Sequence, residues 1–423
     1  MAFLKSNPFF QIHPSHESSM REIAPVLFAL AIGMTFVSIF PLPNALEGFK
    51  DYLPLHMSLE GVSIVIAMQV SGLGWNVLGH KASGNIIFLS SIFFGVAILD
   101  FSHLLSYEGM PNFVTPSGPD KGIAFWLAAR LLLAIGLLVF ALSPLRPFVS
   151  KARRYASLSA IFALVAFAHW LFLFHPNLLT NLFFTPGRGL SALKINTEYA
   201  IIALNAITAF ILWRAMYRPQ PYYAASMFAA VCVMAMSELF FTLYADVVDV
   251  YNVLGHIYKA IAYLFVYRAI FVTAVQKPYE ELSVARERLR ENNQLLDNII
   301  QNIPHMIFLK HASDLRYALF NKAGEELTGF SHDALLNHTD YEFYPKDQAD
   351  FFIQKDRETL ANGVIVDIPE EPIETLRGTR LLHTKKIPIK DAYGQPLYLF
   401  GNLRRRHATH RDGNRPESER KVP

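Results

Sequence analysis

The stretch that decides the fold runs from Asn252 to Pro304: NVLGHIYKAIAYLFVYRAIFVTAVQKPYEELSVARERLRENNQLLDNIIQNIP. Its first part, Val253–Gln276, is an apolar span with Gly255, His256 and Lys259 near its start. After Pro278 it becomes charged, and Leu282, Leu289, Leu296 and Ile303 recur every seven residues. Ala285 and Ile299 fill intervening seam positions and Asn292 occupies another, a pattern that suits a short parallel coiled coil or one amphipathic helix packed on its neighbour. One element thus leaves a membrane and becomes a soluble helix.

Composition separates the same two halves. The chain has 423 residues, 52% of them hydrophobic, with 34 Phe, too apolar for an ordinary soluble protein of this size. Apolar residues concentrate before residue 276, and charged ones crowd the rest of the chain. A net charge of +3 gives no argument for nucleic acid, and none is expected as a partner. The single cysteine, Cys232, excludes an internal disulfide framework and a cysteine-rich zinc site. Met1–Glu22 is a polar tail with no cleavage pattern after it, so Ile23 begins a retained span.

A span needs about 20 mostly apolar residues. Ile23–Phe40, Leu59–Leu78, Ile86–Leu105, Ile123–Leu142, Ala156–Phe174, Tyr199–Trp213, Tyr222–Tyr244 and Val253–Gln276 meet that criterion. An even number of helices puts both ends on one side. Connections on that side carry Lys81, Arg146, Lys151, Arg153, Arg154, Arg214, Arg218 and Lys277. The opposite ones carry Lys50, Lys121, Arg188 and Lys194 among Glu47, Asp51, Asp120, Asp246 and Asp249. Cytoplasmic loops are enriched in Lys and Arg, so the expectation is a multi-pass protein of a bacterial cytoplasmic membrane with both termini inside.

Beyond Ile303 short strands and helices alternate. Strands are expected at Met306–Lys310, Arg316–Asn321, Val364–Ile368, Arg380–Lys390 and Pro396–Phe400. Helices are expected at Lys322–Thr328, closed by Gly329, and at Lys346–Ala361, closed by Asn362-Gly363. Asn402–Pro423 reads as a disordered basic tail, in which Arg404, Arg405, Arg406, His407 and Arg411 could touch anionic lipid or nucleic acid, although no folded nucleic-acid module accompanies them.

Two resemblances rest on particular residues. Asp297-Asn298-Ile299-Ile300, Pro304, Asn321-Lys322-Ala323, Leu327-Thr328-Gly329, Tyr341-Glu342-Phe343-Tyr344-Pro345, Ala349, Phe352, Asp356 and Gly363 make the region from Leu295 to Gly401 similar to a PAS domain. That likeness implies an α+β module with a five-stranded antiparallel sheet, serving sensing or dimerisation. Leu99-Asp100, His103, Tyr107, Gly109-Met110-Pro111, Trp126, Ala129-Arg130, Ser237-Glu238, Phe241, Tyr244, Asn252, Gly255-His256, Tyr258-Lys259 and Tyr267-Arg268 make Ala24–Thr273 resemble a bacterial membrane-associated sensor domain of the MASE group, third type. Members usually precede PAS domains and then a histidine kinase or cyclic-di-nucleotide enzyme. No kinase histidine motif, ATP-binding box or GGDEF-like segment is present here, so no enzyme is expected in this chain, and a truncated reading frame or an output-free subunit is. The expected organisation is a tail (1–22), a bundle of about eight helices (23–276), a signalling helix (277–303), a PAS domain (304–401) and a tail (402–423).

Ionisable groups inside spans are costly and are functional candidates by default. Asp100, His103, Tyr107, Arg130, Glu238, His256 and Lys259 fall at one depth, in the outer half, and are the candidate ligand-sensing set; Glu60, His169 and Glu198 are further polar positions. The competing reading is that these groups only hold the helices together by hydrogen bonds. No cofactor is predicted, although a metal or haem in the membrane domain, on His103, His169 and His256, is a sharper version of the same idea. In the PAS region, Ile307, Leu319, Leu327, Phe352 and Leu382 are the pocket candidates, against an ordinary packed core. The function expected is a membrane sensor, dimeric through the linker helix and PAS domain, that detects an unknown small-molecule or envelope stimulus. The alternatives are a transporter or membrane enzyme with a regulatory PAS domain, and an output-free dimerisation scaffold.

Overall fold

The computed structural model describes residues 12–40, 52–76, 84–143, 151–185, 189–220, 222–243, 250–376 and 378–405. The loop charges Glu47, Lys50, Asp51, Lys81, Arg146, Arg188, Asp246 and Asp249, the motif residue Tyr244, and the tail from Arg406 lie outside the described residues. The chain divides into two compact units, Met1–Leu282 and Ser283–Pro423.

In the first unit the apolar runs form α1 (Pro14–Ile39), α2 (Tyr52–Asn76), α3 (Gly84–Ser106), α4 (Pro119–Leu142), α5 (Lys151–Phe174), α6 (Ala192–Ala215), α7 (Ala224–Leu243) and α8 (Val250–Phe271). Eight helices among the described residues are long and apolar enough to cross a membrane. Seven of the eight helices start earlier than the apolar runs, α1, α2 and α6 most clearly. α1 begins at Pro14, where proline's fixed φ suits a first turn and the His13 side chain accepts from Ser15 N–H. α2 begins at Tyr52, so His56 and Ser58, which precede the apolar run, belong to the helix.

Helices α3, α4 and α7 are central, and α1, α5 and α6 present exposed Phe28, Phe36, Phe162, Phe167, Ile207 and Phe210 outward, as lipid-facing helices do. α8 packs along α7 and α2. The α7 contact is close at Gly255, where a Cβ would stand 2.4 Å from the Phe241 ring, and Ser237 Oγ there donates to the Gly255 carbonyl at 2.7 Å. A two-stranded hairpin, β1 (Phe184–Thr185) and β2 (Gly189–Leu190), is tied to α4 by Asp120, whose carboxylate accepts from the Asn181, Phe183 and Phe184 N–H groups at 2.8–3.0 Å.

From α8 the chain continues through a π turn, Val272–Gln276, into α9 (Lys277–Asn302), so that helical backbone runs unbroken in sequence from Val250 to Asn302. In the π turn the Lys277 N–H donates to the Val272 carbonyl. Pro278 is the physical cause: it lacks an N–H, and its ring clashes with the carbonyl four residues back, so the ladder opens by one residue.

The second unit is a five-stranded antiparallel sheet in the order β4-β3-β7-β6-β5, built from β3 (Met306–His311), β4 (Tyr317–Phe320), β5 (Val366–Ile373), β6 (Arg380–Lys390) and β7 (Pro396–Arg405). Between β4 and β5 come α10 (Lys322–Thr328), α11 (His332–Leu335) and α12 (Lys346–Asn362). Gly329 and Gly363 close α10 and α12 in left-handed conformation, as anticipated. Two strand ends differ from the sequence reading by more than two residues. β5 runs on to Ile373 through Pro369 and Pro372, which an edge strand tolerates, with a register shift between Ile368 and Glu371. β7 passes Phe400 and reaches Arg405, so Asn402–Arg405 is strand and not tail. Leu403, buried between Asn402 and Arg404, pairs with Met306 on one side and Thr384 on the other.

Candidate functional site

All seven residues expected in the bundle site are buried there, and most converge on one cluster. Arg130 on α4 places one guanidinium nitrogen 2.6 and 2.7 Å from the two Asp100 oxygens on α3. The Tyr263 hydroxyl on α8 donates to Asp100 Oδ2 at 3.3 Å. Lys259, one turn earlier on α8, donates to both Glu60 oxygens on α2 at 2.6 Å and lies 3.6 Å from Asp100 Oδ2. His256 Nδ1 is 2.7 Å from Glu60 Oε1, but off the line of a hydrogen bond. Four helices are therefore joined through two carboxylates and two cations, none more than 3% exposed.

Aromatic rings enclose these charges. The Trp126 indole carries the Arg130 guanidinium over its face at 4.7 Å and the Lys259 ammonium at 4.8 Å, distances at which a desolvated cation–π contact stabilises. His256 packs edge-on to Trp126 and Phe241. Glu238 on α7 is 3% exposed, and its Oε2 has no hydrogen-bond partner among the described residues. Of the further polar positions, Glu198 pairs with Lys194 at 2.8 Å, and His169 stands apart from the cluster on Ser102 Oγ at 2.7 Å.

Toward the end of the bundle where α3 and α7 finish and α4 and α8 begin, a cavity opens. His56, His103, Tyr107, Trp126, Asn252 and His256 are among its lining residues, and it offers about 40 Å³ to the centre of a water-sized sphere. His103 Nδ1 lies 2.8 Å from the Gly122 carbonyl, which accepts only if that nitrogen carries the proton; this directs the Nε2 lone pair elsewhere. His56 was not singled out in the sequence, because the apolar run of α2 starts at Leu59. It stacks on Tyr107 at 3.9 Å and stands edge-on to His256 at 4.7 Å. The signal that could have found it is spacing: His56 and Glu60 are four apart and share one helix face.

The second unit has its own polar interior. Lys310 on β3 donates to Asp340 at 2.5 Å and to Asp356 on α12 at 2.7 Å. Lys386 on β6 donates to the other Asp356 oxygen at 2.5 Å, and the Tyr317 hydroxyl donates to Asp340 at 2.7 Å. Burial would push the Asp356 carboxyl up, yet the Lys310 and Lys386 ammoniums outweigh it and hold it below the usual range. Burial would lower Lys310, but Asp340 and Asp356 raise it above an ordinary lysine. Burial first, then Asp340, pushes the Tyr317 phenol well up, so it stays a donor.

Lys310, Tyr317, Asp340 and Lys386 line a cavity of about 20 Å³ with apolar and aromatic neighbours that include Met306, Phe308, Tyr344 and Phe352. Of the five pocket residues expected from sequence, only Phe352 lines it. Ile307 sits on the other face of β3, because Met306, Phe308 and Lys310 share the inward parity. Leu382 is core, and Leu327 packs against that core; Leu319 is half-buried on β4.

Helices long and apolar enough to cross a membrane, with a buried charge cluster among them, and a five-stranded α+β module define a polytopic membrane protein with a further folded domain. Comparison with protein families agrees: a membrane-associated sensor domain (MASE3) matches residues 48–278, and a PAS fold matches 300–411. The chain belongs to the MASE3 family of membrane-associated sensor domains, with a PAS domain after it. Both matched domains are sensory ones. No curated protein matches the chain.

Similar solved structures include an RNA-binding light-oxygen-voltage receptor, at 16% identity over 27% of this chain and 33% of that one, with a TM-score of 0.25. The PAS domain of a protein from Colwellia psychrerythraea is 13% identical over 26% of this chain and 94% of that one, TM-score 0.24. The PAS domain of an HTR-like protein from Haloarcula marismortui is 17% identical over 29% and 98%, TM-score 0.25.

Proposed function

We propose that this chain is a signal-transducing sensor in which a small-molecule or envelope stimulus acts on the buried polar cluster and the response leaves through α8. The observation that carries the reading is connectivity. Lys259 and Tyr263 on α8 hold carboxylates from α2 and α3, and α8 continues through the π turn into α9. A stimulus can shift such a device only by contacting its two states differently, and a carboxylate whose partner is on the output helix supplies that difference.

Two further features support the relay. Leu282, Leu289 and Leu296 on α9 are 68%, 61% and 57% exposed, an apolar seam that pairing with a second copy would cover. The Lys and Arg bias of the loops supports cytoplasmic termini in an inner membrane, with the cluster in the outer half of the bilayer. The response passes through the PAS domain to an output enzyme of the histidine-kinase or cyclic-di-nucleotide class.

The test is cross-linking in native membranes of a Cys232→Ser chain carrying Leu296→Cys. Dimers should form through residue 296, and adding His256→Gln or Glu238→Gln should change their rate of formation. A rate indifferent to both substitutions would sink the relay, and a monomer would sink the paired helix.

A further inference from the structure

His56 is 1% exposed, yet neither ring nitrogen has a hydrogen-bond partner among the described residues. An unsatisfied buried polar group forfeits its hydration without compensation, so a native chain rarely keeps one without a use for it. His103 Nε2 is in the same position, with its other nitrogen engaged by the Gly122 carbonyl. Both rings line the cavity of the bundle, and Glu60 lies beside them on the helix face of His56. One ligand atom from each of His56, Glu60 and His103 falls within 4.8 Å of the others.

We propose that His56, Glu60 and His103 bind a divalent first-row transition-metal ion, and that its binding draws Glu60 away from Lys259. The donor set is two imidazole nitrogens and one carboxylate oxygen, which suits zinc and its neighbours in that row and not calcium or magnesium. A tetrahedral site with bonds of about 2.0–2.1 Å sets its donors roughly 3.4 Å apart. Side-chain rotation has then to close at most about 1.4 Å between any two donors. A carbonyl-bound Nδ1–H with Nε2 aimed into a cavity is the arrangement that orients an imidazole for a metal.

The cavity has room for an ion and a water, and too little for a porphyrin. Charge also permits it: apart from the Lys194–Glu198 pair, three buried carboxylates, Glu60, Asp100 and Glu238, accompany two cations of the cluster, Arg130 and Lys259. Both Glu60 oxygens already accept from Lys259, so an ion drawing on one of them competes with that ammonium for the same negative charge. The coupling half of the proposal thereby rests on the relay through α8, whereas the binding half does not.

The test uses the full chain in lipid nanodiscs, stripped with a chelator and titrated with Co2+. One equivalent should give the strong visible bands of a four-coordinate nitrogen–oxygen site, and Zn2+ should abolish them. His56→Gln and His103→Gln should each weaken binding by more than the roughly 10–100-fold that loss of an outer-shell partner costs, while His169→Gln leaves it unchanged. Absence of those bands in the unsubstituted chain overturns the site without recourse to any variant, and so does equal binding by the His56→Gln/His103→Gln pair. Spin-label distances from Leu296→Cys, in a Cys232→Ser background with and without Zn2+, then separate the two halves. A changed distance supports the coupling. Stoichiometric binding with an unchanged distance keeps the site and overturns the coupling, while the relay itself stands or falls on the cross-linking test.

Discussion

Replacing Lys259 by Met removes the only ammonium that contacts Glu60 among the described residues and leaves the carboxylate buried. At 2.6 Å and an effective dielectric of about 20, two unit charges attract by about 6 kcal/mol before desolvation is subtracted. Removing one side of a buried pair typically costs about 3–5 kcal/mol, because the other charge stays behind. Asp100 keeps Arg130 at 2.6 Å, so the loss falls on Glu60. Glu60→Gln in the same chain removes the stranded charge and should return about 2–4 kcal/mol. The assay is a double-mutant cycle on unfolding in mixed micelles, read by tryptophan fluorescence, with Trp126 beside the missing ammonium. If the two penalties simply add, Lys259 and Glu60 do not interact, and α2 is not tied to α8 by charge.

The PAS interior provides two independent checks. Gly401 on β7 faces Phe308, and a Cβ there would stand 2.2 Å from the ring, so Gly401→Val should destabilise the domain by at least the ~1–3 kcal/mol of overpacking, read as faster hydrogen exchange in β3 and β7. Asp356 is held below the usual carboxylate range, so its contribution is present above the unfolded value of about 3.9 and is lost as pH falls through the folded one. PAS stability followed by exchange should therefore fall on the acid side, with no step from this group near neutrality, and Asp356→Asn should flatten that acid limb.

Charged residues inside apolar runs announce themselves, and Asp100, Arg130, Glu238, His256 and Lys259 were legible for that reason. Their partnership was less so: Glu60 was one further polar position, and nothing local shows that Lys259, 199 residues away, reaches it. His56 escaped because hydropathy marks where lipid begins, whereas a helix can begin several residues earlier in polar surroundings. In the PAS domain, lysines in strands read as solvent-facing. Lys310 nevertheless shares parity with Met306 and Phe308, and that alternation points it inward, where Asp340 and Asp356 compensate its charge. The edge strand β5 was cut short by its prolines, whose effect depends on which side of the strand has a neighbour.

The π turn joins these observations to a mechanism. A residue of α-helix spans about 100° around the axis. One extra residue in a turn therefore changes, by about that angle, the phase between the face carrying His256, Lys259 and Tyr263 and the seam of Leu282, Leu289 and Leu296. A turn that relaxes to α geometry rotates everything after it by the same discrete step, which a gradual bend would not do. Pro278 favours the open form by withholding a donor and crowding the carbonyl four residues back. Pro278→Ala restores the donor and should close the turn. In the cross-linking assay, reaction should then move from Leu289→Cys and Leu296→Cys to positions about 100° round the helix. Cross-linking that stays on the same seam would show that the phase of α9 is set by its own pairing, and that the π turn only absorbs the mismatch with α8.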